Sequence, residues 1–194
     1  MKILYISLFL ETNQYNETQN LEYFIKTTHY YNIQDSFSYR LFSCYDTTVT
    51  SLKHYFNCPI STDESLFNFN DYKMKIERLY FHFKDNMNDY MTHEIAWAKE
   101  KLFSYICFDK ILNTFDFIVY NDADLKIDSN DIYELCKILE VKNKKTDDKY
   151  FVNIPYVLKD KKYIIDSSFG SYIIPTSILK QFSDNFMKIV LIYL

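Results

Sequence analysis

Gly170 is the only glycine in this chain of 194 residues. Average usage is roughly 7%. Glycine is what lets a backbone turn left-handed or come close to a phosphate, so its scarcity limits the sites the chain can build. A P-loop needs two glycines at fixed spacing, a dinucleotide fingerprint needs two or three, and a nucleophile elbow usually needs two. None of these can be assembled here. Phosphate chemistry, if present, has to rest on side chains and a cation.

The rest of the composition sets few limits. Length and a hydrophobic share of 48% suit one domain with a real core. The 19 Tyr and 17 Phe, and two arginines (Arg40, Arg78) against twenty lysines, follow AT-rich codon usage and core packing before any stacking surface. Net charge is −4. Lys142, Lys144 and Lys145 are followed at once by Asp147 and Asp148, which reads as a solvated loop. A general nucleic-acid binder's basic footprint is missing, so no nucleic-acid partner is expected. Cys44, Cys58, Cys107 and Cys136 form no CxxC pair and have aromatic or apolar neighbours. Free thiols in a reducing, cytoplasmic compartment follow. The opening MKILYISLFLE is ended by Glu11 with no cleavage site and reads as a first buried strand. No run approaches the ~18 apolar residues of a membrane span. The tail FMKIVLIYL has nine residues and only Lys188 as a basic flank. Peripheral membrane contact through it is the alternative to a purely cytoplasmic location.

Periodicity predicts a strand over 2–10 and a helix over 17–31, with Leu21, Phe24, Ile25 and Thr28 on one face and Thr18 as cap. A second strand runs from Phe37 to Tyr45, and Thr47 or Thr48 caps a short helix. Cys58-Pro59 breaks the chain, residues 59–72 read as an irregular loop, and Lys75 to Phe83 as a third strand. Residues 91–113 carry Met91, Ile95, Ala98, Leu102 and Ile106 at helical steps. FDFIVYNDADLKI (115–127), a short apolar run ending abruptly in carboxylates, follows, then a helix capped by Ser129 or Asn130 through Leu139, and a charged loop 142–149. Tyr150–Leu158, Lys162–Ile165 and 168–175 read as extended, and Thr176 or Ser177 caps a last helix. Alternation of strand and helix predicts an α/β fold: a mostly parallel central sheet with helices on both faces. Its ligand would lie outside the carboxyl ends of the strands.

One segment carries chemistry. Phe117-Ile118-Val119-Tyr120-Asn121-Asp122-Ala123-Asp124 runs from a buried strand straight into two aspartates. Strand geometry sends side chains two apart to the same side. Paired carboxylates repel unless a cation sits near them, and hard oxygen ligands suit Mg²⁺ or Mn²⁺ with phosphate and water completing the shell. The plain alternative is turn chemistry, with Asp122 and Asp124 as loop residues. Other constellations fail. His93-Glu94 lacks a zincin's second histidine because Trp97 stands there, and His29, His54 and His82 have no ligand spacing.

The stretch AWAKEKLFSYICFDKILNTFDFIVYNDADLKI resembles the centre of GT-A-type glycosyltransferases (family 2-like or related), where a helix precedes a strand ending in an Asp-x-Asp motif. Asp116 matches the acid opening that strand, and Asp122-Ala123-Asp124 the motif. ILYISLFLE and the second strand ending in Asp46 match the nucleotide-binding half, and DSSFGSYIIPTSILKQF the acceptor-side stretch. The resemblance implies one GT-A-like domain over 1–194, with a donor half over 1–127 and an acceptor half over 128–194, short at its C-terminal end. It implies that Asp124 is the main ligand of Mn²⁺ or Mg²⁺, and that Asp122 serves the metal or the ribose. Leu10, Glu11, Thr12 and Asn13 would hold the base, Asp46 the uracil or ribose, and Lys99 the diphosphate. Asp46 as a helix cap and Lys99 on a wet helix face are the plain alternatives. Inverting members use a carboxylate base, for which Asp166 is chosen over Asp184. Two glycines usual in the acceptor loop are replaced by Ser167, Ser168 and Gly170.

The implied activity is a hexosyltransferase-like transfer from a UDP- or GDP-sugar to a glycan, lipid or protein hydroxyl. A sugar nucleotidyltransferase is the first alternative, but ETNQYNETQ lacks the glycine and cation of its loop after the first strand. A degenerate, non-catalytic nucleotide-sugar or partner-binding domain is the second.

Overall fold

The computed structural model describes residues 1–10, 14–45, 60–69, 72–82, 102, 111–122, 125–146, 150–154, 156–157, 164–165 and 171–181. Its strands are β1 (Ile3–Leu10), β2 (Phe37–Tyr45), β3 (Ile60–Phe69), β4 (Tyr72–His82), β5 (Phe117–Asp122), β6 (Val152–Asn153), β7 (Tyr156–Val157), β8 (Ile164–Ile165) and β9 (Ser171–Pro175). The helices are α1 (Gln14–Tyr30), the short α2 (Ile111–Thr114) and α3 (Ser129–Lys145), and residues 176–181 are helical after β9. Seven strands form one sheet in the order β3-β4-β2-β1-β5-β9-β6, and β7 pairs with β8 separately.

The fold is α/β, but the sheet is mixed rather than mostly parallel. Its centre, β4-β2-β1-β5, is parallel. Its flanks are antiparallel, β3 on β4 at one side and β9 with β6 at the other. The segment read as an irregular loop over 59–72 is mostly β3, joined to β4 by a two-residue connection, since Phe69 pairs with Tyr72. Among the described residues β3 pairs with β4 alone, so its run of polar residues (Thr62-Asp63-Glu64-Ser65) can sit on an edge strand, where charge discourages further pairing.

The centre of the sheet is buried on both faces, as a parallel sheet between covering layers must be. Ile3 and Tyr5 alternate with Leu4 and Ile6, and all four are buried. On the first face α1 and α3 pack together. Leu21, Phe24, Ile25 and Thr28 of α1 are all buried at the expected spacing, and Ile132, Cys136 and Leu139 of α3 join Phe24 and Ile25 in one cluster with Ile3, Tyr5, Tyr39 and Val119. The Phe24 ring stacks on Tyr5 at 4.2 Å and meets Phe37 edge-on at 5.3 Å. On the second face Leu4, Ile6, Ile118 and Tyr120 are fully buried. Leu102, Leu112, Ile178 and Leu179 are buried apolar residues outside the first cluster. Within the predicted helix 91–113, the described residues 102 and 111–113 are helical; Thr47 and Thr48 lie outside the described residues.

Turns that glycine would ordinarily make are made otherwise. α1 ends with Asn32 at φ 55°, the left-handed region. The Ile33 N–H donates to Thr28 O at 2.9 Å and the Asn32 N–H to His29 O at 3.1 Å. This is the paired-bond helix stop that usually employs glycine, with asparagine in its place. Thr18, predicted to cap α1, lies inside it because the helix starts at Gln14.

α3 is capped by Asp128, not by Ser129 or Asn130. The Asp128 carboxylate accepts from the Asn130 N–H at 2.8 Å and from the Tyr23 hydroxyl at 3.2 Å. The Ser129 N–H is taken by Thr27 Oγ1 of α1 at 3.0 Å. α3 also continues to Lys145 instead of stopping at Leu139, and Lys144 pairs with Glu140 at 2.6 Å. Lysines in a last turn face the negative end of the helix dipole. Removing the cap in Asp128→Ala should lower stability by about 1 kcal/mol, read as a shifted urea midpoint with unchanged slope.

The predicted strand 150–158 is split between β6 and β7, which belong to different sheets. Thr176 does not cap the last helix with its side chain. Its hydroxyl donates to Phe115 O at 2.8 Å.

Candidate functional site

The four parallel strands end at one edge of the sheet: β1 at Leu10, β2 at Tyr45, β4 at His82 and β5 at Asp122. The antiparallel β9 begins at that edge, because Ser171 pairs with Asn121. Leu10 is opposite Cys44, and Leu8 is opposite Asp122. The ends of β1, β2 and β5 and the start of β9 therefore share one edge, where an open α/β sheet offers its crevice.

Among the predicted site residues, Leu10 and Asp122 fall on described strands, and Asp122 has a described side chain. Glu11, Thr12 and Asn13 follow Leu10 in sequence, Asp46 follows Tyr45, and Asp166 follows β8; these lie outside the described residues, as do Lys99, Asp124 and Asp184. Strand β5 ends at Asp122, whose carbonyl accepts from the Leu125 N–H at 3.0 Å. The alternation that sends side chains two apart to one side is described as far as Asp122.

Asp122 is half-buried and accepts from the Tyr120 hydroxyl at 2.6 Å, on Oδ1. The two residues lie on the same side of β5 because they are two apart. Tyr120 is fully buried and stacks at 4.9 Å on Tyr172, its register partner in β9. Burial, and then the charge of Asp122, push the Tyr172 phenol well above the ordinary tyrosine range. Two aromatic rings thus underlie the carboxylate, and one donates to it. A carboxylate held by a charge-assisted bond is pre-oriented for a ligand, cation or hydroxyl.

The other face of the same strand end carries Asn121, buried among polar partners. Its Nδ2 donates to Tyr5 OH at 3.0 Å and to Leu125 O at 2.8 Å, and its Oδ1 accepts from Ser171 Oγ. Its main-chain carbonyl accepts from Ser7 Oγ at 2.8 Å. Sequence reasoning does not single out Asn121, Ser171, Ser7, Tyr120 or Tyr172. The available signal is a polar residue interrupting each apolar strand run: Ser7 in ILYISLFL, Asn121 in FIVYND and Ser171 before YIIP.

Asp116, which matched the acid opening the motif strand, sits at the opposite edge. Its carboxylate accepts from the Lys2 N–H at 2.7 Å, and its carbonyl accepts from the Thr176 N–H at 3.0 Å. It pins the starts of β1 and β5 to the end of β9.

Among the described residues there is no group of three or more His, Cys, Asp or Glu placed to hold a metal ion. No described helix is long and apolar enough to cross a membrane. No protein-family model matches the chain, and no curated protein matches it.

Proposed function

We propose that this chain is a metal-dependent glycosyltransferase with a GT-A-like sheet, moving a sugar from a UDP- or GDP-sugar to an acceptor hydroxyl. The observation that carries the reading is Asp122, at the carboxyl end of a parallel strand beside β1, its carboxylate held by Tyr120 at 2.6 Å. Asp122 and Asp124 offer hard oxygen donors, the chemistry that Mn²⁺ and Mg²⁺ take. When bound, such an ion supplies charge neutralisation for the diphosphate leaving group.

The chain's own residues divide the remaining work. Asp124 is the main metal ligand, and Asp122 faces the ribose or the metal. Leu10, Glu11 and Asn13, as the chain leaves β1, hold the base, with Asp46 after β2 beside it. Lys99 balances charge on the departing diphosphate. Asp166 takes the acceptor hydroxyl's proton. The acceptor is a glycan, lipid or protein hydroxyl.

Thermal unfolding with Mn²⁺ and UDP, or Mn²⁺ and GDP, tests the donor site. Ligand at a hundredfold of its Kd adds about 2.7 kcal/mol to the native state. For a domain of this size that raises Tm by roughly 5–10 °C. Asp124→Asn should abolish the shift while the apo protein still unfolds cooperatively. No shift with either nucleotide, or a full shift in Asp124→Asn, sinks the assignment.

A further inference from the structure

The Tyr120 ring is fully buried on the second face of the sheet, with a neighbour on either side. Ile6 of β1 is its register partner on one side, and Tyr172 of β9 on the other. Ile6 is fully buried. Tyr172 is half-buried, and its ring lies 4.9 Å from that of Tyr120 at 19° to it. A side chain on a strand has two common settings of its first torsion, which carry its tip to different places. The setting adopted here brings the Tyr120 hydroxyl to Asp122 Oδ1 at 2.6 Å. A ring close-packed between two neighbours cannot swing to another setting without displacing one of them.

The place of Tyr172 is fixed in turn by a polar pair on the opposite face. Ser171, one residue earlier, opens β9 opposite Asn121, and its hydroxyl donates to Asn121 Oδ1. The two residues are 2% and 1% exposed. A slip of β9 by one residue would separate these groups inside the core, which is costly, and would turn Tyr172 to the other face. The polar pair therefore selects the register that sets ring against ring.

We propose that Tyr172 is a positioning residue: stacked on Tyr120 in the register that Ser171 and Asn121 select, it keeps the Tyr120 hydroxyl on the Asp122 carboxylate and so presents that carboxylate to the donor. This inference rests on the donor-site reading. Tyr172 acts through its ring, not its hydroxyl, and that separates it from a tyrosine that binds substrate.

The test uses the whole chain and two readings. A buried hydroxyl held on a carboxylate should exchange slowly with water and give its own proton resonance, identified by its absence from Tyr120→Phe. Tyr172→Leu should lose that resonance, and Tyr172→Phe, which keeps the ring, should retain it. Titration with Mn²⁺ and UDP, or Mn²⁺ and GDP, should show nucleotide binding about tenfold weaker in Tyr172→Leu, the lower end of what losing an orienting neighbour costs. Tyr172→Phe should bind at the wild-type level. Should Tyr172→Leu fail to fold, Tyr172→Met takes its place with the same expected readings, since methionine fills irregular space without a flat ring. A resonance absent from the wild type, or kept in the ring-less variant, overturns the positioning role whatever the nucleotide does. So does a ring-less variant that lowers Tm but leaves nucleotide affinity unmoved. Tyr172→Phe binding as weakly as Tyr172→Leu makes the hydroxyl the working group and overturns it too. A resonance that behaves as expected in a protein binding neither nucleotide overturns the donor-site reading, and with it the presentation of Asp122 to a donor.

Discussion

Raising the pH through 10 toward 12 should unfold this protein in one cooperative step, with the late phase of phenolate absorbance, after the exposed tyrosines such as Tyr30 have ionised, and the loss of helical circular dichroism sharing a midpoint. Four acids, three buried and Tyr172 half-buried, carry the expectation. Burial pushes the phenols of Tyr5, Tyr39 and Tyr172 well above the ordinary tyrosine range. It also pushes the Cys136 thiol up to about 12. For Tyr5 the hydrogen bond received from Asn121 pulls the other way but does not offset the burial. Tyr39 has the same balance with Thr28.

In each case the folded state keeps a proton that the unfolded chain releases at its ordinary pKa. The stabilisation is therefore complete below that ordinary value and lost as pH rises toward the raised one. Holding a proton tenfold more tightly is worth about 1.4 kcal/mol, so even that much at each of the four groups withdraws about 5 kcal/mol. That is already the lower end of a domain's total stability. Cys136 should accordingly resist alkylation until the same transition. Phenolate absorbance that is complete around the ordinary tyrosine pKa, with no late phase and circular dichroism unchanged, would remove these side chains from their buried settings.

The same buried residues show what is legible in the sequence. The β2 boundaries, the Leu21–Phe24–Ile25–Thr28 face of α1 and the apolar run of β5 are readable because burial imposes a period on them. β3 is not. An edge strand with one neighbour tolerates Asp63 and Glu64, so it has a loop's composition. Its connection to β4, Asn70-Asp71, lacks the glycine that usually marks a tight hairpin. The scarcity of glycine that excludes whole classes of site also hides the turns. Asn32 ends α1 in a role where glycine is the usual signal. The cap of α3 falls one residue before the expected position for a tertiary reason: Thr27 of α1 occupies the Ser129 N–H, and Asp128 is left to serve Asn130.

The candidate site is legible in part for the same reason. An aspartate ending an apolar strand is a local pattern, and Asp122 stands at the sheet edge that the pattern implies. Tyr120, which holds it, is local, but what supports that strand end is not. Tyr172 comes from distant sequence to stack on Tyr120, and Ser171 reaches Asn121 across a gap of 50 residues. Antiparallel insertion of β9 beside β5 creates both contacts, and no periodicity within either strand announces that pairing. In the sequence the tyrosines read as genome bias and core filling; in the fold, Tyr120 fills the core and also donates to a carboxylate at the sheet edge.

That double role makes a paired substitution informative. Asp122→Ala should reduce release of nucleoside diphosphate from a UDP- or GDP-sugar by about 10²–10³-fold, the scale of losing one preorganised electrostatic group in a site. Tyr120→Phe keeps the carboxylate and loses only the donor at 2.6 Å. Its cost in turnover should be about tenfold, that of a group which orients another. In stability the two variants should be close. Asp122→Ala strips the buried Tyr120 hydroxyl of that acceptor, and Tyr120→Phe strips the half-buried carboxylate of that donor. Each breaks one charge-assisted bond, worth about 1.5–3 kcal/mol. Similar losses in Tm beside very different losses in turnover would place the Asp122 carboxylate at the reaction. Equal losses of turnover that simply track Tm would make it a structural partner of Tyr120, and the donor site would then have to be sought elsewhere along the edge where β1, β2 and β4 end.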